Sequence, residues 1–212
     1  MQKIAAIVPA FNEEHTVHHV VSVLARHPRI LEVIVVDDGS EDRTAQQARA
    51  AGARVLSLLK NQGKGEALSQ GINLTKAPLL MFVDADLFTL SHDHVSAIIS
   101  LLERRDADMA VGAVDRGILL NAIARFSGAP ISGFRILKRD IWDAANKEAL
   151  QGYLVEGVLT VTARRMKKTV VAISLKNLRH ISKPKKRGLV KGIALWLGMW
   201  KEIIYNIGNL FS

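Results

Sequence analysis

Two spacings of apolar residues alternate along the first half of the chain. Continuous runs read as strands buried on both faces: KIAAIV, EVIVV, RVLSLL, LLMFV and DMAVGAV. Between them apolar residues fall at helical spacing, first at Val17, Val20, Val21 and Leu24, later at Val95, Ile98, Ile99 and Leu102. The segment GSEDRTAQQARAAG predicts a helix with Ser40 as its N-cap and Gly52 as its stop, and another helix runs from about Lys64 to Leu74. This alternation predicts an α/β fold, a mainly parallel sheet with helices on both faces. Right-handed crossovers bring the strands' carboxyl ends to one edge, where open sheets of this kind bind ligands.

The second half is less regular. It predicts a helix over 117–126, a glycine-spaced loop SGAPISGFRILKR, a helical YLVEGVLTVTARRM and a strand TVVAISL. A basic loop, KNLRHISKPKKRG, precedes a last amphipathic helix from about 189 to 211. Leu189, Ile193, Leu197, Trp200, Ile204, Ile207 and Phe211 trace one face of that helix, and Lys191, Gly198, Glu202 and Asn209 the other. Two readings stand side by side: a membrane-surface anchor next to the KPKKR cluster, or a stripe that packs on the protein body or in a homodimer.

Charge sharpens the contrast between the halves. Residues 1–120 carry a net −3 and residues 121–212 a net +12, which suits an anionic partner for the second half. A nucleic-acid module would interleave aromatic with basic residues, but only 5% of the chain is aromatic and two of three tryptophans lie in the tail. There is no cysteine, so neither disulfides nor thiolate metal sites arise. No uncharged apolar run reaches the roughly 18 residues of a membrane span. MQKIAAIVPAF leads straight into a polar motif without a small-residue cleavage site, and reads as a first strand rather than a signal peptide. These features predict a cytoplasmic protein, peripheral on a membrane if the tail anchors it.

Polar residues gather where the strands end: Asn12, Glu13 and Glu14 after the first, Asp37, Asp38, Gly39 and Ser40 after the second, NQGKGEA after the third, DAD after the fourth. Any one of these is ordinary turn or cap chemistry, but four on the same edge argue for one site. Neither G-x-x-x-x-G-K-[ST] nor a G-x-G-x-x-G after the first strand is present, which disfavours a P-loop or a dinucleotide site. Carboxylates behind an apolar strand are costly unless paired or on a cation. Asp84-x-Asp86 fits Mg²⁺ or Mn²⁺, which takes few protein carboxylates and completes its shell with phosphate oxygens.

The blocks IVPAFNEE, VIVVDDGSEDRT, NQGKGEAL and MFVDADL, in this order and spacing, closely resemble the nucleotide-binding half of the family-2 glycosyltransferases of GT-A fold. Polyprenyl-phosphate sugar transferases and glucosyl-phosphoglycerate synthases share the layout. The resemblance implies one GT-A domain over 1–182, divided into a nucleotide-binding half (1–115) and an acceptor half (116–182), followed by the basic loop and tail helix at 183–212. It implies that Pro9, Ala10, Phe11 and Glu13 contact the nucleoside, with Glu13 on the ribose hydroxyls. It implies too that Asp38 accepts from the base, commonly uracil; that Gly63 and Lys64 lie near the nucleotide; that Asp84 sits beside the ribose or a metal water; that Ala85 contacts the nucleotide-sugar; and that Asp86 coordinates the metal. The resemblance further implies a nucleotide-diphospho-sugar donor, UDP-linked, and an anionic or lipid-linked acceptor, for example a polyprenyl phosphate.

Glu156 is isolated in an apolar segment, which predicts a raised pKa and a general-base role, or a structural glutamate paired with an arginine. The family's usual acidic base pair is missing. His180 is a candidate third metal ligand, and Arg135 a candidate contact to an acceptor phosphate. The other histidines (His15, His18, His19, His27, His92 and His94) fall on helix faces or ends and receive no role. Rival readings are a sugar nucleotidyltransferase, whose glycine- and arginine-rich first loop VPAFNEE does not resemble, and a catalytically inactive nucleotide-sugar binder.

Overall fold

The computed structural model describes residues 2–114, 132–146 and 155–180. Seven strands form one sheet in the order β3-β2-β1-β4-β6-β5-β7. They are β1 (Ile4–Ala10), β2 (Ile30–Asp37), β3 (Arg54–Ser57), β4 (Leu79–Phe82), β5 (Met109–Val114), β6 (Arg135–Lys138) and β7 (Val170–Leu175). The helices are α1 (Val17–Ala25), α2 (Thr44–Ala50), α3 (Lys64–Asn73), α4 (His92–Arg104), α5 (Arg139–Ala144) and α6 (Val155–Arg165). All pairings are parallel except those that β6 makes with β4 and β5. The α/β class and the mainly parallel sheet agree with the hydrophobic pattern.

The central strands are apolar throughout because both faces are covered. Ile4, Ala6, Val8 and Met81 pack under α1 and α4, whereas Ala5, Ile7, Leu80 and Phe82 pack under α3, α5 and α6. Val17, Val20, Val21 and Leu24 of α1 are fully buried, as are Val95 and Ile98 of α4. The register sets the strand ends side by side: Ala10 is opposite Asp37, Asp37 opposite Ser57, and Ile7 opposite Phe82. The loops that follow β1 to β4 therefore open at one edge.

Two expectations need correction. Ser40 does not cap α2. That helix starts at Thr44, whose N–H donates to Asp42 Oδ1 at 2.9 Å, while Ser40 and Glu41 are spent in the turn that reaches Asn12. Gly52 does end it: the N–H groups of Gly52 and Ala53 return to the carbonyls of Arg49 and Ala48, a Schellman closure. Within SGAPISGFRILKR, residues 135–138 form a strand and Arg139 opens a helix; Phe134 and Ile136 face one layer, Leu137 the other. The helix expected at 117–126 and the tail helix at 189–211 lie outside the described residues.

Candidate active site

The first two loops are stitched together by their own polar residues. The Asn12 N–H donates to Ser40 Oγ at 2.9 Å, and Asn12 Oδ1 accepts from the Glu41 N–H at 3.0 Å. The Glu13 N–H donates to Thr44 Oγ1 at 2.8 Å, and Thr16 Oγ1 donates to Glu13 Oε2 at 3.2 Å. Glu13 is thus held at the sheet edge by its neighbours, and Phe11 is exposed. Pro9 is half-buried, and Ala10 and Ala85 are buried in the floor of the edge.

Asp38 lies beneath these loops, only 4% exposed. Its Oδ1 accepts from the Gln62 N–H at 2.7 Å and its Oδ2 from the Gly63 N–H at 2.8 Å. In this structure Asp38 positions the loop that delivers Gly63 and Lys64.

Lys64, the first residue of α3, joins the two halves of the described chain. Its ammonium lies 2.5 Å from Asp84 Oδ1 and 2.7 Å from Glu156 Oε1. Burial works to lower the Lys64 pKa, but the two carboxylates beside it raise it above the usual lysine value. Glu156 sits in the first turn of α6 and is buried. Its burial works to raise the carboxyl pKa, yet the charges of Lys64 and Arg135 and the Lys64 hydrogen bond hold it below the usual glutamate value. The raised pKa expected from its apolar surroundings is therefore not found. Sequence neighbours suggested isolation, whereas a lysine from 92 positions away supplies the counter-charge.

Arg135 also departs from expectation. It is 1% exposed, with Nε and one terminal nitrogen donating to the Ser132 carbonyl at 3.1 and 2.7 Å and the other donating to the Glu156 carbonyl at 3.0 Å. A guanidinium enclosed by main-chain carbonyls under the sheet edge braces Glu156 and offers no surface to an acceptor. Gly133, two residues earlier, is one that sequence reasoning passed over. A Cβ there would lie 2.1 Å from Asp84 Oδ2, so only glycine leaves room for that carboxylate.

Asp84, Asp86 and His180 each present one ligand atom, all within 4.8 Å of one another and partly exposed, the only such group among the described residues. His180 Nδ1 is 2.9 Å from Asp86 Oδ1. Two carboxylate oxygens and an imidazole suit Mn²⁺ or Mg²⁺ and leave several coordination positions for phosphate oxygens or water. The donor set fits the expected metal, and it brings His180 from the end of the described chain to the DAD turn.

Comparison with known proteins identifies the family. The family described as Glycosyl transferase family 2 matches residues 5–143. Dodecaprenyl-phosphate galacturonate synthase of Rhizobium johnstonii is 33% identical over 120 residues, 52% of this chain and 35% of that protein. A 4,4'-diaponeurosporenoate glycosyltransferase of Staphylococcus aureus is 35% identical over 104 residues, 47% of this chain and 28% of that protein. The match thus spans about a third of the length of these curated relatives. Glucosyl-3-phosphoglycerate synthase of Mycobacterium tuberculosis, solved with Mn²⁺, UDP-glucose and phosphoglyceric acid, superposes with a TM-score of 0.73 at 26% identity, covering 86% of this chain and 73% of that one.

Proposed function

We propose that this chain, which belongs to glycosyl transferase family 2, moves a sugar from a UDP-sugar to an anionic or lipid-linked acceptor with the help of a divalent cation. One observation carries the reading: Asp84, Asp86 and His180 converge at the same sheet edge as the Asp38-held loop and the Lys64–Glu156 pair. The mycobacterial neighbour was solved with UDP-glucose and Mn²⁺, and with UDP and Mg²⁺ in another crystal. The rhizobial relative is named for a dodecaprenyl-phosphate product, which supports a phosphate acceptor.

In this reading Pro9, Ala10 and Phe11 border the nucleoside, Glu13 accepts from the ribose hydroxyls, and Asp38 and Gly63 shape the base side of the site. Asp84, Asp86 and His180 hold the cation, which when bound supplies Lewis-acid stabilisation of the departing diphosphate. Lys64 brings a permanent positive charge beside Asp84. Glu156, kept ionised by Lys64, works as a hydrogen-bond acceptor rather than as a proton acceptor of raised pKa. A phosphate acceptor attacks through an oxygen that is already deprotonated, so it needs no general base. Residues 183–212, with their basic cluster and apolar stripe, hold the protein on an anionic membrane surface where a lipid-linked acceptor is found.

Calorimetry tests the donor reading. The protein should bind UDP more tightly with Mn²⁺ than without, and Asp86→Asn should abolish that difference while leaving the fold intact. Equal UDP affinity in the two proteins with Mn²⁺ present would sink it. Release of UDP from UDP-sugars, assayed with and without phosphate acceptors, then separates an active transferase from a donor-binding protein.

A further inference from the structure

We propose that Thr89 and His94 are positioning residues for the cation site, clamping the strap Lys176–His180 so that His180 meets Asp86. The inference rests on the reading of Asp84, Asp86 and His180 as metal ligands. His180 follows β7 on a short irregular segment, and such a segment does not by itself hold an imidazole to a fixed position. Three features of the structure do so.

The first is Thr89, three residues after Asp86 on the same loop. Its Oγ1 donates to the Asn177 carbonyl at 2.7 Å and accepts from the Arg179 N–H at 2.8 Å. One hydroxyl thus grips the strap on both sides of Leu178. The second is His94. Its Nδ1 accepts from the Ser91 N–H at 3.2 Å in the capping box of α4, which leaves Nε2 as the protonated nitrogen, and Nε2 donates to the Lys176 carbonyl at 2.9 Å. The third is Leu178 itself, 1% exposed, which plugs the strap into the core shared with α4. Asn177 adopts the left-handed conformation (φ 63°) that lets the chain turn back between these points.

The loop that carries the clamp also carries the ligand. The Phe88 N–H returns to the Asp86 carbonyl at 2.9 Å, and the Leu90 N–H to the Leu87 carbonyl at 3.0 Å, so Asp86 and Thr89 belong to one wound turn. From α1, His19 Nε2 meets the Leu90 carbonyl at 2.9 Å and steadies the far end of that turn. The distance from His180 to Asp86 is therefore referenced to the turn that presents Asp86. Groups that orient metal ligands in this way affect metal affinity although they never touch the ion.

The test adds Mn²⁺ and UDP to the full-length protein and reads affinity by calorimetry and imidazole nitrogen coupling by pulsed electron paramagnetic resonance. Wild type should show the coupling, and His180→Ala should lose it. Thr89→Val removes both strap hydrogen bonds with little change of shape. It should weaken Mn²⁺ binding by ~10-fold or more and diminish the coupling. Thr89→Ser, which keeps both bonds, should behave as wild type, a rescue that loss of general stability does not produce. His94→Leu drops the Nε2 donor and should shift both readouts the same way, which keeps the inference open to test if Thr89→Val folds poorly. Wild-type affinity and full coupling in both Thr89→Val and His94→Leu, with His180→Ala impaired, would overturn the clamp alone. If wild type and His180→Ala are indistinguishable, the metal reading fails and the clamp falls with it.

Discussion

Asp84 and Glu156 come from the two halves of the described chain and share one counter-ion: Lys64 Nζ lies 2.5 Å from the first and 2.7 Å from the second. The pair of contacts ties the DAD turn to the first turn of α6. It also places a fixed positive charge between the group assigned to the cation and the group expected to act on the acceptor side.

Glu156→Gln tests this arrangement through stability and pH. The folded-state pKa of Glu156 lies below its unfolded value, so its contribution is present above the ordinary glutamate range and is lost as pH falls through the folded value. Breaking one partner of a buried ion pair costs about 3–5 kcal/mol, and less where glutamine keeps a hydrogen bond. The variant should be less stable than wild type to urea at pH 7, and the gap should narrow as pH falls below the ordinary glutamate range. A carboxyl ¹³C resonance for Glu156 that titrates above the ordinary value would reject the ionised assignment.

Gly133→Ala addresses the space around Asp84. A methyl 2.1 Å from Asp84 Oδ2 must displace the carboxylate, because the alternative is movement of the sheet edge. Overpacking of this kind costs about 1–3 kcal/mol. The melting temperature should fall modestly, while the Mn²⁺-dependent part of UDP binding should fall by ~10-fold or more, as for other disturbed ligand supports. Unchanged metal-dependent binding would separate the position of Asp84 from the donor site.

Much of the strand-edge cluster was legible because its signals are local. Strand-end carboxylates, glycines and the DAD turn follow apolar runs directly, and a parallel sheet sends all of them to one edge. The surroundings of Glu156 and Arg135 were less legible because their partners are distant in sequence. Glu156 reads as isolated until Lys64 arrives from α3, and Arg135 reads as a surface cation until the Ser132 and Glu156 carbonyls enclose it. The strand β6 was hidden for a related reason: four residues flanked by Gly133 and charged ends carry little periodicity, and insertion between β4 and β5 decides their state. Thr89 and His94 gave no signal, since their strap lies more than 80 residues away.

Asp108 offers a pH test away from the site. It immediately precedes β5 and fastens its neighbours: Oδ2 accepts from the Thr169 N–H at 2.9 Å, and Oδ1 lies 2.8 Å from Lys138 Nζ and 3.5 Å from Lys168 Nζ. Burial works to raise its pKa, but the Lys138 hydrogen bond, the Thr169 N–H and the lysine charges hold it below the usual aspartate value. Its stabilisation is thus present above the unfolded pKa and is lost as pH falls through the folded one. Hydrogen bonds to charged groups contribute about 1.5–3 kcal/mol, so Asp108→Asn should lower stability by about that much at pH 7. The difference should shrink as pH falls below the ordinary aspartate range. A variant as stable as wild type at neutral pH would show that these contacts contribute nothing net.

The last prediction concerns where the acceptor is met. Lys183, Lys185, Lys186 and Arg187 form a basic cluster immediately before the apolar stripe of the tail, and two tryptophans lie within that segment. Among the described residues no helix is long and apolar enough to cross a membrane. Each lysine or arginine near an anionic bilayer contributes about 1 kcal/mol, falling off within a Debye length. The intact protein should therefore sediment with anionic liposomes and much less with neutral ones. Binding should weaken with added salt and with substitution of the four basic residues by glutamine, and the apolar stripe should supply a remainder that salt does not remove. A stripe packed on protein predicts a different pattern: the intact chain would ignore every liposome, and truncation before Lys183 would lower the melting temperature. That pattern would favour a phosphorylated small molecule over a lipid-linked acceptor.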